Sequence, residues 1–169
     1  MATQYIVYII IGILVLWVIF GFNSLIRRRN RVKEAWSDID VQLKRRYDLI
    51  PNLVETVKGY ATHEQQTFQQ VIEARSKAMG AHSLGEHQQA ENMLTGALKS
   101  LFALAEAYPQ LRASENFQRL QADLTDAEDK LQAARRFYNS TVRDYNTAIQ
   151  QVPTNILASI FNFKERTRR

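Results

Sequence analysis

The best-spaced candidates for metal chemistry in this sequence are two histidines. His82 and His87 stand five residues apart, with Glu86 and Glu91 close by. On a helix, residues five apart diverge, whereas spacings of three or four place side chains on one face. Solvated side chains in a connector are therefore the favoured interpretation, and a metal-dependent enzyme is the alternative. We predict that the chain needs no metal or other cofactor.

Other catalytic patterns are absent from the sequence. His63 precedes Glu64, but Thr67 stands where the zinc motif H-E-x-x-H requires its second histidine. There is no glycine-rich phosphate loop and no nucleophile elbow. The absence of cysteine excludes disulfides, thiolate metal sites and cysteine nucleophiles. A run of acids indicates a solvated helix face rather than a carboxylate dyad: Asp123, Asp126, Glu128 and Asp129. We predict a protein that is not an enzyme.

The N-terminal segment, residues 1–26, predicts a transmembrane anchor. It contains no Asp, Glu, Lys or Arg, and Tyr5 to Phe22 is almost continuously apolar. Extended to Ile26, the run reaches roughly 33 Å as a helix, against a hydrocarbon core of about 30 Å. A cleaved signal peptide is the alternative, but no basic residue precedes the run and no small-residue cleavage site follows it.

Basic residues directly after the apolar run predict the orientation of the anchor. They are Arg27, Arg28, Arg29, Arg31 and Lys33. Because basic residues beside a span stay in the cytoplasm, we expect a single-pass protein with its N-terminus outside and the following domain in the cytoplasm.

Residues 27–152 predict an all-α domain, since apolar residues recur at helical spacing and no alternating stretch indicates a strand. Two long and two short amphipathic helices are expected to pack as an antiparallel four-helix bundle. Pro51 predicts a kink in the first helix, Gly80 a C-cap of the second and Ser114 an N-cap of the fourth. Tyr60, Ile72 and Met79 are predicted to face the core.

The tail, residues 153–169, joins apolar residues to a basic end. Ile160, Phe161 and Phe163 precede four basic residues and one acidic residue at positions 164–169. Because the fourth helix returns towards the membrane, this tail is expected beside the anchor, either in the membrane interface or as a short helix on the base of the bundle. The high isoelectric point is thus a property of the membrane-facing ends, which suits anionic lipid and not nucleic acid.

A set of polar residues lies close to the predicted core: Arg46, Asp48, Asn52, Arg136, Asn139 and Asn146. Interhelical hydrogen bonds that fix the register are favoured over a ligand site, because buried polar groups must be paired.

Three runs in order resemble the LemA family of bacterial membrane proteins. They are RNRVKEAWSDIDVQLKRRYDLIPNLVETVKGYATHE from Arg29, AEAYPQLRAS from Ala105, and RRFYNSTVRDYN from Arg135 with VPTNILA after it. The resemblance implies an inner-membrane anchor with the N-terminus outside, a bundle of long helices and no catalytic activity. It also implies a set of family-pattern positions: Arg46, Asp48, Pro51, Asn52, Glu106, Tyr108, Pro109, Arg136, Tyr138, Asn139 and Asn146.

These patterns predict a membrane-anchored scaffold that acts through helix surfaces and forms homo-oligomers. Gly12 and Gly21, with Ser24, would allow close helix approach in the bilayer. The resemblance leaves two alternatives, a membrane-shaping oligomer suggested by a related magnetosome protein, and an accessory subunit of a membrane protease or signalling system. A second membrane protein is therefore another expected partner.

Overall fold

The computed structural model describes residues 2–81 and 84–167, and over these ranges the chain is helical without strands. The predicted all-α fold is confirmed. The helices are α1 (Ala2–Lys58), α2 (Gln65–Gly80), α3 (Leu84–Glu106), α4 (Pro109–Arg112), α5 (Glu115–Gln150) and α6 (Thr154–Ile160).

Helix α1 joins the predicted anchor and the first predicted bundle helix in one element of 57 residues. Pro51 lies inside it, so the proline does not end the helix. Within the described residues, α1 is the one helix long and apolar enough to cross a membrane, and its most apolar window is not buried by the rest of the chain.

The chain divides into two compact units, and α1 and α5 contribute to both. Unit 1 comprises residues 1–39 and 133–169, and unit 2 comprises residues 40–132. In unit 2, Arg45 of α1 pairs with Asp126 of α5, and Thr56 accepts a hydrogen bond from Asn116. Since the residue numbers rise along α1 and fall along α5, these two helices are antiparallel.

Unit 2 buries a core of apolar residues from four helices. Its fully buried side chains include Ile50 and Leu53 of α1, Phe68 of α2, Leu101 of α3 and Leu131 of α5. Three predicted core residues are instead exposed, namely Tyr60 at 43%, Ile72 at 48% and Met79 at 54%. In α2 the small residues Ala74 and Ala78 take the inward positions, which lets the neighbouring helix approach closely.

Helix ends follow the sequence only in part. Ser114 precedes α5, and its Oγ accepts a hydrogen bond from the Phe117 backbone N–H at 3.4 Å, which confirms the predicted N-cap. Helix α2 ends at Gly80 as predicted, but Gly80 is its last helical residue, and the C-cap is Ala81 in an extended conformation. Pro109 begins the short helix α4, where its missing N–H leaves no helical acceptor unpaired.

Candidate functional site

A buried ion pair lies in the core of unit 2 between α1 and α3. Arg46 is 3% exposed and Glu91 is 7% exposed, and Arg46 Nη1 donates to Glu91 Oε2 at 2.5 Å. The Tyr47 hydroxyl donates to the other oxygen of the same carboxylate. Both carboxylate oxygens thus have donors, which offsets the cost of removing this charge from water.

The guanidinium of Arg46 reaches two further residues. Its Nη2 donates to Thr95 Oγ1 at 3.1 Å, and its Nε lies 3.3 Å from the Glu128 carboxylate. The charge therefore links α1 to α3 and α5. Because the guanidinium reaches Glu91, Thr95 and Glu128 only when α1, α3 and α5 are in register, the cluster favours one packing of these helices.

A second ion pair between α1 and α5 lies at the surface of unit 2. Asp126 accepts hydrogen bonds from Arg45 at 2.7 Å and from Lys130 at 2.9 Å. The hydrogen bond from Lys130, followed by that from Arg45, lowers the pKa of the Asp126 carboxyl below its ordinary value. The partners are 39% and 44% exposed, so solvent screens this pair far more than the buried one.

Pro51 removes a helical donor, and α2 supplies a replacement. A residue at position 51 would donate its N–H to the Tyr47 carbonyl, four residues earlier, but proline has none. Arg75 Nε donates to this Tyr47 carbonyl oxygen at 2.7 Å. Tyr47 is thereby held through its backbone by α2 and through its hydroxyl by α3, which explains how a proline is tolerated in the middle of α1.

The buried cluster of unit 2 serves cohesion better than chemistry. The Glu91 carboxylate is committed to Arg46 and Tyr47. Within residues 2–81 and 84–167, no three His, Asp or Glu side chains are placed to hold a metal ion. His87 is half-buried, whereas His82 lies outside the described residues.

A shallow groove runs between α2 and α3 on the surface of unit 2. Two adjoining depressions of about 340 Å³ and 350 Å³ share Lys77 and Met93 in their walls. The remaining lining residues are partly small, such as Ala90 and Ala97, and partly polar, such as Glu73 and Gln89. Met93 is 49% exposed, so the groove presents apolar surface to solvent.

In unit 1, helix α6 packs against the end of the apolar stretch of α1. A Cβ added to Gly21 would lie 2.5 Å from Leu157 Cδ1, so a larger residue here would force the Leu157 side chain to move. The Phe22 ring lies 4.7 Å from the ring of Phe161 and 5.9 Å from that of Phe163. The contact that the structure gives Gly21 is therefore with Leu157 of the same chain.

A left-handed residue turns the chain back after α6. Asn162 has φ 54°, and the Phe163 N–H donates to the Ala158 carbonyl at 2.8 Å while the Asn162 N–H donates to that of Ser159 at 3.3 Å. This pair of bonds is a Schellman motif, in which asparagine is the usual alternative to glycine. The turn directs residues 163–167 along α5.

Side chains of α5 bind the backbone of this terminal segment. Asn146 donates to the Arg166 carbonyl at 2.8 Å and accepts from the Arg166 N–H at 2.9 Å. The Tyr138 hydroxyl donates to the Thr167 carbonyl, and the Tyr145 hydroxyl donates to the Lys164 carbonyl, each at 3.1 Å. Because these bonds go to backbone atoms, they hold the segment irrespective of its side chains.

Aromatic and cationic groups complete the packing of unit 1. Trp36 meets Tyr138 edge to face with ring centroids 5.2 Å apart, and the Arg29 guanidinium lies 5.5 Å from the ring centre of Phe163. Burial raises the pKa of the Tyr145 hydroxyl above its ordinary value, and the charges of Arg166 and Arg29 offset part of that rise.

The predicted polar positions divide between the core and the surface. Arg46 is buried, and Asn139 and Asn146 are half-buried. Asp48, Asn52 and Arg136 are exposed, so their predicted place near the core is wrong. They occupy helix positions that flank the apolar stripe and turn away from it. Glu106 and Pro109 are exposed at the end of α3 and the start of α4, and Tyr108 between them is half-buried.

The sequence did not predict the roles of three residues in these contacts, and Glu91 was considered only as a neighbour of the two histidines. Glu91 and Arg75 each lie on a helix rich in other polar residues, so nothing local distinguishes them. Asn162 carried a usable signal, because an asparagine directly after an apolar helical stretch is a known C-terminal residue.

Several known proteins are similar to this chain in sequence. The model of the LemA family matches residues 35–168. Protein LemA of Metamycoplasma hominis is 29% identical over 140 residues, which cover 80% of this chain and 63% of that protein. Magnetosome protein MamQ of Magnetospirillum gryphiswaldense is 24% identical over 173 residues, covering 87% of this chain and 64% of that protein. Magnetosome protein MamQ 1 of Paramagnetospirillum magneticum is 23% identical with the same coverage.

The chain therefore spans less than two thirds of the length of each of these relatives. The family match, by contrast, extends from the middle of α1 through α6 to the terminal segment. It includes the buried Arg46–Glu91 pair and the contact of Asn146 with Arg166. The chain belongs to the LemA family.

Proposed function

We propose that the chain is a non-catalytic, membrane-anchored interaction protein that self-associates at the cytoplasmic face of a bacterial inner membrane. The observation that carries the proposal is the state of α1. Its N-terminal part exposes large apolar side chains on every side, with Ile10 at 57%, Ile13 at 63% and Phe20 at 67%. A helix that is apolar all round requires a bilayer or another protein around it.

The charge next to this apolar stretch supports the proposed orientation. Arg27, Arg28 and Arg31 are exposed one to three turns beyond Phe22, and no charged residue precedes the stretch. The asymmetry favours a cytoplasmic position for everything after residue 26. The C-terminal tail packs on α1 at the same end, so it would lie on the same side.

Two surfaces support a role in binding other proteins, including further copies of the chain. Gly12 has no neighbouring atom within 4 Å, so a second helix could approach the anchor closely there. In unit 2, Ile72 and Met79 are exposed seven residues apart on one face of α2. Apolar residues with this spacing are typical of a helix-packing surface.

The test is the mass of the full-length protein in mild detergent, measured by light scattering after gel filtration. We expect a defined assembly that dissociates in the variants Gly12→Leu or Ile72→Glu with Met79→Glu. Leu14→Ile, which preserves volume at an exposed position of the same helix, is the matched control. A monomer at every concentration would remove self-association and leave a second membrane protein as the partner to seek.

A membrane-shaping oligomer is the second candidate, since the chain is similar to magnetosome proteins and has an amphipathic helix beside its anchor. Such helices bind curved membranes preferentially. Electron cryomicroscopy of anionic vesicles carrying the full-length protein tests this candidate. Narrow tubules or uniformly small vesicles would support it, and unchanged spherical vesicles would contradict it. An accessory role beside a membrane protease or signalling system would instead require co-purification of a stoichiometric partner.

A further inference from the structure

Helix α6 is amphipathic in a way that the bundle does not use. Leu157 and Ala158 are buried against unit 1, whereas Ile156 is 52% exposed, Ile160 is 68% exposed and Phe161 is 46% exposed. These three apolar side chains form one patch with i, i+4 and i+5 spacing. An exposed apolar patch of this kind on a short helix needs a covering surface.

The level of α6 along α1 identifies that surface. Leu157 lies against Gly21, and Phe161 lies against Phe22. Gly21 and Phe22 end the apolar run that begins at Tyr5, which is about 26 Å long as a helix. A hydrocarbon core of about 30 Å therefore ends close to Phe22. Any bilayer that accommodates the run must bring its interface to α6.

Basic residues lie where lipid headgroups would follow. Arg27 and Arg28 are exposed about 8 Å beyond Phe22 along α1. Lys164 and Arg166 are exposed in the terminal segment that α5 binds. Unit 1 as a whole contains 12 basic and 4 acidic side chains, a net charge of +8, and of these acids Glu165 accepts a hydrogen bond from Gln150.

We propose that α6 and residues 161–167 form a membrane-interface foot, which inserts Ile156, Ile160 and Phe161 beside the end of the transmembrane helix and binds anionic lipid headgroups through Lys164 and Arg166. The partner is the bilayer itself. The inference rests on the proposed function in one respect, because it requires α1 to span the membrane.

Continuity with the apolar run favours lipid over a second copy of the chain as the covering surface. The foot touches the anchor directly, so its apolar patch meets the same bilayer without any rearrangement of unit 1. The bonds from Tyr145 and Asn146 to the backbone of Lys164 and Arg166 hold these two basic residues directly after Phe163, whose ring lies against Phe22. Position, apolarity and charge therefore agree on one environment, the zone that amphipathic helices occupy.

The test uses the absence of cysteine in the chain, which allows one environment-sensitive fluorophore to be placed at a time. Full-length Ile160→Cys, Val41→Cys and Leu14→Cys proteins are labelled and reconstituted in vesicles of phosphatidylcholine with phosphatidylglycerol. Lipids with a nitroxide high or low on the acyl chain act as depth-dependent quenchers. Val41 is an exposed apolar residue of α1 in unit 2 and serves as the matched control, and Leu14 reports the position of the apolar run.

We expect shallow quenching at position 160, deep quenching at position 14 and little quenching at position 41. Replacing Lys164 and Arg166 by glutamine should lower the equilibrium constant for insertion of the foot, read from quenching at position 160 in anionic vesicles, about fivefold for each charge removed. A shallow position that is independent of phosphatidylglycerol would overturn the headgroup part of the inference.

Two results would overturn the foot itself. If the fluorophore at position 160 is in water while that at position 14 is in lipid, the proposed foot is wrong and the transmembrane anchor is retained. If both fluorophores are in water, the proposed function is wrong as well. If position 160 is apolar but shielded from lipid quenchers and quenched by labelled neighbours, a second copy covers the patch.

Discussion

Units 1 and 2 are stabilised by different kinds of interaction. Unit 2 contains 10 basic and 13 acidic side chains, a net charge of −3, and buries an arginine whose charge links three helices. Unit 1 carries a net charge of +8, and among its described arginines Arg27 and Arg28 are exposed while Arg29 and Arg31 lie over aromatic rings. Its fit depends on one glycine and on bonds from side chains to backbone.

The difference is consistent with the surroundings that we propose for each unit. A unit in water can take up a charge only if it is paired internally, and then the pair fixes the packing. A unit at a membrane must leave basic groups outward for headgroups, so it holds its segments by shape and by neutral hydrogen bonds. The predictions below test this contrast, beginning with the largest expected effect.

Arg46→Leu should produce the largest loss of stability. It leaves Glu91 buried without its cation, which costs about 3–5 kcal/mol in the free energy of unfolding. Denaturant titration in detergent, followed by circular dichroism, measures the loss. The control is Arg45→Leu, whose exposed pair with Asp126 should matter far less. Equal effects of the two substitutions would contradict the central place given to the buried pair.

Gly21→Val should release α6 from α1 in unit 1. The added side chain would overlap Leu157, and overpacking of this kind costs about 1–3 kcal/mol. Trypsin should then cleave faster after Lys164 and Arg166, and mass spectrometry would record the products. Gly12→Val, in the open part of the same helix, should leave cleavage unchanged. Matching rates in both variants would show that the glycine contact does not hold the tail.

Arg75→Met should destabilise unit 2 by about 1–3 kcal/mol, since it leaves the buried Tyr47 carbonyl without a donor. Pro51→Ala restores a backbone N–H for that carbonyl. In the double variant the loss caused by Arg75→Met should therefore be smaller than in the natural chain. Additive effects of the two substitutions in a double-mutant cycle would argue against the link between proline and arginine.

Asn146→Ala should loosen the terminal segment by about 1–2 kcal/mol, because two hydrogen bonds to Arg166 are lost. The readout is again tryptic cleavage after Lys164, with Thr147→Ala, one residue along α5 and exposed, as the control. If cleavage is insensitive to Asn146, the segment is held by other contacts.

Alkaline pH should produce the smallest effect. The pKa of Tyr145 is higher in the folded protein than in the unfolded chain, so its contribution to stability is complete below about pH 10 and is lost as pH rises through the folded value. The hydrogen bond to the Lys164 carbonyl also requires the protonated hydroxyl. Tail cleavage should increase above that pH in the natural chain, and Tyr145→Phe should remove this dependence.

Periodicity predicted the elements well where apolar residues recur without interruption. The core positions of α5, including Leu124, Leu131 and Val142, are buried as expected from their spacing. In α2 the same reasoning misplaced Ile72 and Met79, because a helix that buries alanine towards its neighbour can leave larger residues outside. The prediction therefore placed the largest apolar side chains of α2 in the core, whereas close packing put the small alanines on the buried face.

The sequence did not predict which residues Arg46 and Gly21 contact. Arg46 could be predicted as a polar residue near the core, but its pairing with Glu91 joins positions 45 residues apart. Gly21 was predicted to allow a second helix to approach closely in the bilayer, and its contact with Leu157 of the same chain had no signal in the sequence. Such pairs depend on where the helices cross, which no local pattern specifies.

The sequence by itself determined the helical class, the apolar run and the separation of basic ends from an acidic middle, because composition and period act locally along the chain. Only the tertiary structure decided that Arg75 replaces the donor missing at Pro51, that Asn162 turns the tail back along α5, and that α6 meets α1 at Gly21. These features arise from contacts between distant segments, which are fixed by packing and not by neighbours in the sequence.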